Sequence, residues 1–481
     1  MNLPGKYRNL SWVLLLIPIY LFLFVKLGSP HIRLWDEGWF AVHAVEMLDQ
    51  GSWLVSYFNG EPSFTSSKPP LQTWLQMLSI SLLGVSELAV RLPSAVASAI
   101  VVLLIFFSSR KELGHEVAMM SAMVLLTSIG FIGYHTGRGA EADALITLCL
   151  TLQFIFFYRF SQTRDHSSLW MLLFVIGVGF WAKSMATVLF LPGFALYTII
   201  YKRSLVIDLL KSWQLYVGIL GAVAIMISYI FLRESAQPGY LGMFFRSNVG
   251  RYTQSVGHDH WWIYYFRNMI DGRYMWWMPL AAAGIVISFF KDEARPFVTL
   301  ASISALVYLL VISFSRSKLV WYDMPFYPLA AISTAYGINS ILKSQVNTRK
   351  SVLVAVLFFF PTFRMFQHTQ AMTLNLQEMD FESQEIFLNK AFRQKKDLNN
   401  VIVVHDHFEG SILFYKHKFA TIGQELILQN EVDGISQGDR LLLRAESHKE
   451  KLESRYHYEI LDSCRTAVLY RVTGTIPQEM D

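Results

Sequence analysis

The chain has 481 residues, 53% of them hydrophobic, 15% aromatic and only 16% charged. Soluble domains carry about a quarter charged residues, so most of this chain belongs in a bilayer. The net charge of +5 is small, and the basic residues cluster beside apolar runs instead of forming a stripe, which argues against a nucleic-acid partner.

The first apolar run, Ser11 to Leu27, follows Lys6 and Arg8 and lacks a small-x-small cleavage site before Pro30. It is expected to be a retained first span. A compact stretch follows, from Trp35 to Pro70. It opens with adjacent carboxylates, Asp36 and Glu37, continues with helical spacing through Met47, and ends on Lys68-Pro69-Pro70. Charges just beyond a hydrophobic span are costly near lipid and are seldom idle. The next run, 71–84, has 14 residues with two glutamines and two serines, a length that fits an interfacial helix and not a span.

Eleven spans are predicted: 11–28, 87–109, 117–134, 142–159, 168–182, 184–201, 213–232, 276–290, 296–313, 320–341 and 351–367. Leaving 71–84 out places Arg110, Lys111, Arg159, Arg164, Lys202, Arg203, Lys211, Lys291, Arg295, Lys343, Arg349 and Lys350 on the inner side. Counting 71–84 as a span would invert every one of those loops against the positive-inside tendency. With eleven spans, Asp36, Lys68, the loops 135–141, 233–275 and 314–319, and the C-terminal tail share the non-cytoplasmic face.

Beyond Met372 the composition turns polar. Asn400–His405, Arg440–Arg444 and Thr466–Val472 read as strands and Glu409–Tyr415 as a short helix. The expected fold is therefore an all-α polytopic membrane domain, 1–372 with outer loops 29–86 and 233–275, followed by a small α/β soluble domain, 373–481. The two cysteines, Cys149 and Cys464, form no disulfide framework and no zinc pattern.

Several residues invite chemistry, each beside a plainer reading. Asp36 and Glu37 suit a solvated helix cap or a catalytic or metal-binding role. Lys68 suits snorkelling to headgroups or a point charge for a lipid-linked phosphate. In HTGRGAEADALIT, Arg138 and Glu141 suit a cap, while Asp143 is a costly charge at the start of an apolar helix. Tyr274, Trp276 and Trp277 suit an interface belt better than a sugar platform. Lys183, Arg316 and Lys318 share the face of Lys68, and four cations would make a phosphate clamp.

Taken together, DEG, KPPL and GVSELAVRLPSA resemble the polyprenyl-phosphate-sugar-dependent glycosyltransferases of GT-C architecture, in the branch of lipid A aminoarabinose transferases and protein O-mannosyltransferases. The resemblance covers about residues 30–345. FWAKSMATVLFLPG and SRSKLVWYDMPFYPLAA are similar to further family segments, the latter placing Lys318 and Tyr322 on the substrate side.

The resemblance implies Asp36 as the acid that accepts or orients the acceptor hydroxyl, with Glu37 beside it. It implies Asp143 as a second acid and Lys68 on the donor phosphate, assisted by Arg138, Arg251, Lys183 or Lys318, with His258 near the site. A divalent metal on His258 is an expectation weakened by Ser67, which stands where the branch commonly has Glu; headgroup-depth histidines among Trp261 and Trp262 are the alternative. The implied partners are a polyprenyl-phosphate-sugar donor and a lipid, glycan or protein acceptor. The implied place is a bacterial inner membrane, with the site facing the periplasm. A transporter or flippase is the competing class, but the charges gather at span ends and no inverted repeat is visible.

Overall fold

A computed structural model describes residues 11–64, 68–253, 259–290, 296–343, 345–373, 380–405, 410–444 and 446–476. The chain forms two compact units.

The first unit comprises residues 1–25, 64–72 and 93–369. A helical stretch, Ser11–Phe24, opens it. Its main helices appear below with others in chain order: α1 Asp36–Asp49, α2 Leu71–Leu83, α3 Glu87–Leu113, α4 His115–Leu126, α5 Asp143–Thr163, α6 His166–Lys183 and α7 Leu191–Tyr201. Then come α8 Trp213–Ala236, α9 Tyr240–Thr253, α10 Met278–Phe290, α11 Pro296–Phe314, α12 Phe326–Leu342 and α13 Asn347–Thr373.

Among the described residues, six helical segments have the length and apolarity to cross a bilayer: Glu87–Leu113, Asp143–Thr163, His166–Val188, Trp213–Ala236, Pro296–Ser313 and Thr348–Thr373. The Trp213–Ala236 and Thr348–Thr373 helices bury only 17% of their apolar window within the protein. Apolar surface on that scale needs lipid to cover it. Packing inside the unit uses small residues, as membrane helices do when no water drives them together. A Cβ on Gly284 would lie 1.9 Å from the Ser333 carbonyl oxygen, so α10 and α12 meet backbone to backbone.

Two predictions need correction here. The span expected at 117–134 is broken: α4 stops at Leu126, and the Thr127 and Ser128 hydroxyls donate back to the Met123 and Val124 carbonyls at 2.6 Å each. Such back-bonding competes with the helical ladder and frees the chain to turn. The aromatic belt expected at 274–277 is also only partly real. Tyr274 and Trp277 are buried, bonded to Thr334 Oγ1 at 2.9 Å and Thr127 Oγ1 at 3.1 Å, while Trp276 is exposed. The 71–84 run forms the 13-residue α2, about 20 Å long and too short to span.

The second unit comprises residues 26–63, 73–92 and 370–481. Its sheet holds β3 Val401–Val404, β4 Leu426–Gln429, β5 Arg440–Leu443, β6 Tyr456–Cys464 and β7 Ala467–Thr475, in the order β4-β3-β5-β7-β6. A separate two-stranded ribbon pairs β1 Tyr57–Phe58 with β2 Glu61–Pro62. The β3–β4 and β3–β5 pairs are parallel, and β7 runs antiparallel to β5 and β6. The helices α14 Ser383–Arg393, α15 Gly410–Ala420 and α16 Glu446–Arg455 complete it. Besides residues 370–481, this compact unit draws in α1 and most of α2. Helix α15 packs along α1, so the C-terminal sheet shares its unit with the stretch that carries Asp36.

Candidate active site

In the first unit, the polar loop between α4 and α5 is fixed from three sides. Gln72, buried at the start of α2, donates to the Ala140 carbonyl at 2.9 Å and to Ser94 Oγ at 3.1 Å. Ser94 Oγ in turn donates to the Glu141 carbonyl at 3.0 Å. Arg138 donates to the Phe22 and Val25 carbonyls at 3.0 and 2.9 Å, which lie where the first helical stretch ends and leaves acceptors unpaired. The cap expected of Arg138 is thus made to the first helical stretch, and Glu141 Oε1 lies 2.6 Å from His135 Nδ1. His135 takes a left-handed φ of 57° and stacks on Trp321, ring centres 3.9 Å apart.

Asp143 opens α5 and Lys183 closes α6. A carboxylate at a helix start and an ammonium at a helix end both face favourable ends of the helix dipole. The two side chains form an ion pair, Nζ to Oδ1. Lys183 Nζ also stands 4.7 Å from the centre of the Tyr322 ring. Asp143 is buried, but the Lys183 side chain keeps 27% of its surface open. The residue after it, Ser184, is held at φ 50°, a strained value for a residue with a Cβ. Three residues named from sequence, Asp143, Lys183 and Tyr322, therefore stand together.

The sequence did not single out what supports Tyr322. Arg273 grips fully buried Asp323 with two bonds, at 2.9 and 2.5 Å, and donates to the Gly130 carbonyl at 3.2 Å. Tyr327 Oη donates to the same carboxylate at 2.5 Å. Anchoring Asp323 fixes the turn Val320–Asp323 that presents Trp321 and Tyr322. The available signal was a lone Asp entering an apolar span, which needs a partner.

Lys318 lies on the turn that follows α11. It is buried, donates to the Ser315 carbonyl at 2.5 Å, and lines a cavity of about 350 Å³ with Asp259, His260, Trp262 and Arg316. Burial pushes its ammonium pKa below the ordinary value, against the pull of Asp259. Lys68 is half-buried, four residues before Gln72, and in the same unit as Asp143 and Lys183. Arg251 falls on α9, and its side chain and His258 lie outside the described residues. Trp261 and Trp262 are exposed, as interface residues are. Among the described residues no group of three or more His, Cys, Asp or Glu side chains is placed to hold a metal ion.

In the second unit, the adjacent acids separate. Asp36 is the first residue of α1 and half-buried. Trp35 before it is held at φ 67° and is 62% exposed. Glu37 is buried, and both its oxygens are taken by Arg91, at 2.8 and 2.7 Å, with the Arg33 amide adding a bond at 2.9 Å. Arg91 also donates to the Leu27, Pro30 and His31 carbonyls. Burial pushes the Glu37 carboxyl up, but the Arg91 charge and hydrogen bonds hold it below its ordinary value. Glu37 is thus a buried carboxylate with both oxygens occupied by Arg91, while Asp36 stands half-buried at the start of α1.

Comparison with known proteins converges on one fold. Residues 67–231 match the family described as dolichyl-phosphate-mannose-protein mannosyltransferase. The chain is 26% identical over 383 residues to the undecaprenyl phosphate-alpha-4-amino-4-deoxy-L-arabinose arabinosyl transferase 2 of Pseudomonas fluorescens, covering 76% of this chain and 64% of that one. The match thus spans slightly under two thirds of that relative's length. Crystalline ArnT from Cupriavidus metallidurans, bound to undecaprenyl phosphate, superposes with a TM-score of 0.72 at 16% identity, over 96% of this chain and 98% of that one. The archaeal oligosaccharyltransferase AglB from Archaeoglobus fulgidus, in complex with an inhibitory peptide and a dolichol-phosphate, superposes at 0.52 and 10% identity, over 89% and 65%.

Proposed function

We propose that this chain is a GT-C glycosyltransferase that moves a sugar from a polyprenyl-phosphate carrier to a lipid, glycan or protein acceptor on the periplasmic side of a bacterial inner membrane. The reading includes a bundle of membrane-crossing helices, six of them long and apolar enough to span among the described residues. The observation that carries it is the half-open Asp143–Lys183 pair under the Tyr322 ring. An ammonium has three N–H donors and Asp143 takes one, leaving two for phosphate oxygens. Held this way at a helix end, Lys183 would neutralise charge that develops on a departing phosphate.

The reaction is a direct displacement. The acceptor oxygen bonds to the anomeric carbon while the bond from that carbon to the phosphate oxygen breaks, its electron pair leaving with polyprenyl phosphate. The acceptor proton passes to Asp36. One displacement inverts the anomeric configuration and needs no enzyme-bound sugar. Lys68 assists on the phosphate, and Trp321 and Tyr322 offer aromatic faces beside the cation.

Mass spectrometry of envelope lipids and glycoproteins, from cells with and without the gene, tests this. A species lacking one fixed sugar mass, restored by the wild-type gene and not by Asp36→Asn, is the expected result. Full restoration by Asp36→Asn would remove the role given to that acid.

A further inference from the structure

The stretch before Asp36 is held residue by residue by one region of the C-terminal segment. Arg393 and Asn389 of α14 donate to the Ser29 carbonyl at 3.0 and 3.2 Å. Glu382, buried just before α14, accepts from His31 Nε2 at 3.1 Å, from Arg33 at 3.2 Å and from the Leu34 amide at 3.4 Å. Tyr415 Oη of α15 accepts the Ile32 amide at 3.2 Å. Trp35 follows, exposed and at φ 67°, and then Asp36.

Beyond Asp36 the C-terminal segment is again in contact. A Cβ on Gly38 would lie 2.7 Å from the Ser411 amide nitrogen, so α1 meets the start of α15 with no room for a side chain. Ser411 is itself held by buried Glu385, whose Oε1 accepts its hydroxyl at 2.7 Å. Lower on α15, Tyr415 and Lys418 bond to Glu87 at 3.1 and 2.6 Å.

A residue kept at a strained φ persists only where its surroundings over-determine it. Here the surroundings include the Glu37–Arg91 pair as well as residues 382–418. We propose that this segment is a template that fixes the Trp35–Asp36 turn, with Glu382 as the positioning residue that sets where the Asp36 carboxylate stands. This rests on the reading of Asp36 as the acid that serves the acceptor. The template holds the acid and touches no substrate itself, and its failure misplaces Asp36 without unfolding the sheet behind it.

The test uses the full chain in detergent and two readouts. The first is hydrogen exchange of the amides around 33–38. The second is the initial rate of polyprenyl phosphate release from a bacterial envelope lipid extract, at varied extract concentration. Glu382→Ala is expected to speed exchange at 33–38 and leave β3 and β5 protected. It is also expected to lower the maximal rate by about 10- to 100-fold, the scale of a small displacement of a reacting group, with little change in the half-saturating concentration. Glu382→Gln keeps an oxygen for the Leu34 amide and should fall between. If Glu382→Ala does not fold, Tyr415→Phe, which deletes only the hydroxyl, should speed exchange at Ile32 and slow release. Unchanged exchange overturns the template. Faster exchange with an unchanged rate overturns its role in positioning Asp36. If the wild type releases no polyprenyl phosphate, the transferase reading fails, and exchange alone then decides whether the template exists.

Discussion

Two ion pairs, one in each unit, show how similar residues reach opposite ends. Asp143–Lys183 in the first unit is closed on the carboxylate side and open on the lysine side, at 4% and 27% exposure. Glu37–Arg91 in the second is closed on both, at 4% each, and its guanidinium is saturated by carbonyls. A pair with a donor to spare can take a ligand. A pair with none holds backbone. Lysine suits the first task as a point charge, and arginine the second because its fork reaches several acceptors at once.

Breaking the closed pair should have the largest effect. Arg91→Ala leaves Glu37 buried without its partner, and should cost about 3–5 kcal/mol of stability, read from thermal unfolding in detergent. Lys183→Ala, on the open pair, also leaves buried Asp143 without this partner and should lower the melting temperature, though by less than Arg91→Ala because Lys183 is partly solvated. It should slow release of polyprenyl phosphate by about 100- to 1,000-fold, the scale for losing one preorganised donor to a developing anion.

A third buried acid, Glu385, sharpens the contrast, because the bond it accepts comes from the Ser411 hydroxyl. Burial pushes the Glu385 carboxyl up to about 7, with Ser411 and Arg444 opposing and Glu382 assisting. Its folded value lies above the ordinary 4.5, so the folded state binds the extra proton. Stability therefore falls as pH rises from about 4.5 through about 7, and is flat above that. Glu385→Gln mimics the protonated form and should flatten the profile, with a gain of about 3 kcal/mol at pH 8, measured by unfolding at a series of pH values. The smallest effect is expected at Tyr322. Tyr322→Phe keeps a ring face for Lys183 and should leave the release rate near wild type, whereas Tyr322→Ala should slow it by about 3- to 30-fold, as a lost cation–π contact would.

Much of this was legible in the sequence, for local reasons. Pro70 and Gly84 bound a run too short to span, and α2 is what forms there. The Val-rich run before His405 is the parallel strand β3. Asp143 stood out because a charge entering an apolar helix must be answered, and Lys183 answers it. The illegible part is long-range. Glu37 and Arg91 lie 54 positions apart, Arg273 and Asp323 lie 50 apart, and His31 and Glu382 lie 351 apart. No periodicity connects such partners, so Glu37 read as a twin of Asp36 when its neighbours make it a buried strut. The break at Thr127–Ser128 was hidden because serine and threonine sit in apolar helices without comment until their hydroxyls take the backbone carbonyls.

The most direct measurement is product stoichiometry with the purified full chain and an envelope lipid extract as the source of donor and acceptor. Mass spectrometry would follow free polyprenyl phosphate and the glycosylated acceptor together. The account predicts that they appear in equal amounts with wild type and that neither accumulates with Asp36→Asn. Polyprenyl phosphate released without a sugar-bearing product, or equal yields from Asp36→Asn, would contradict it.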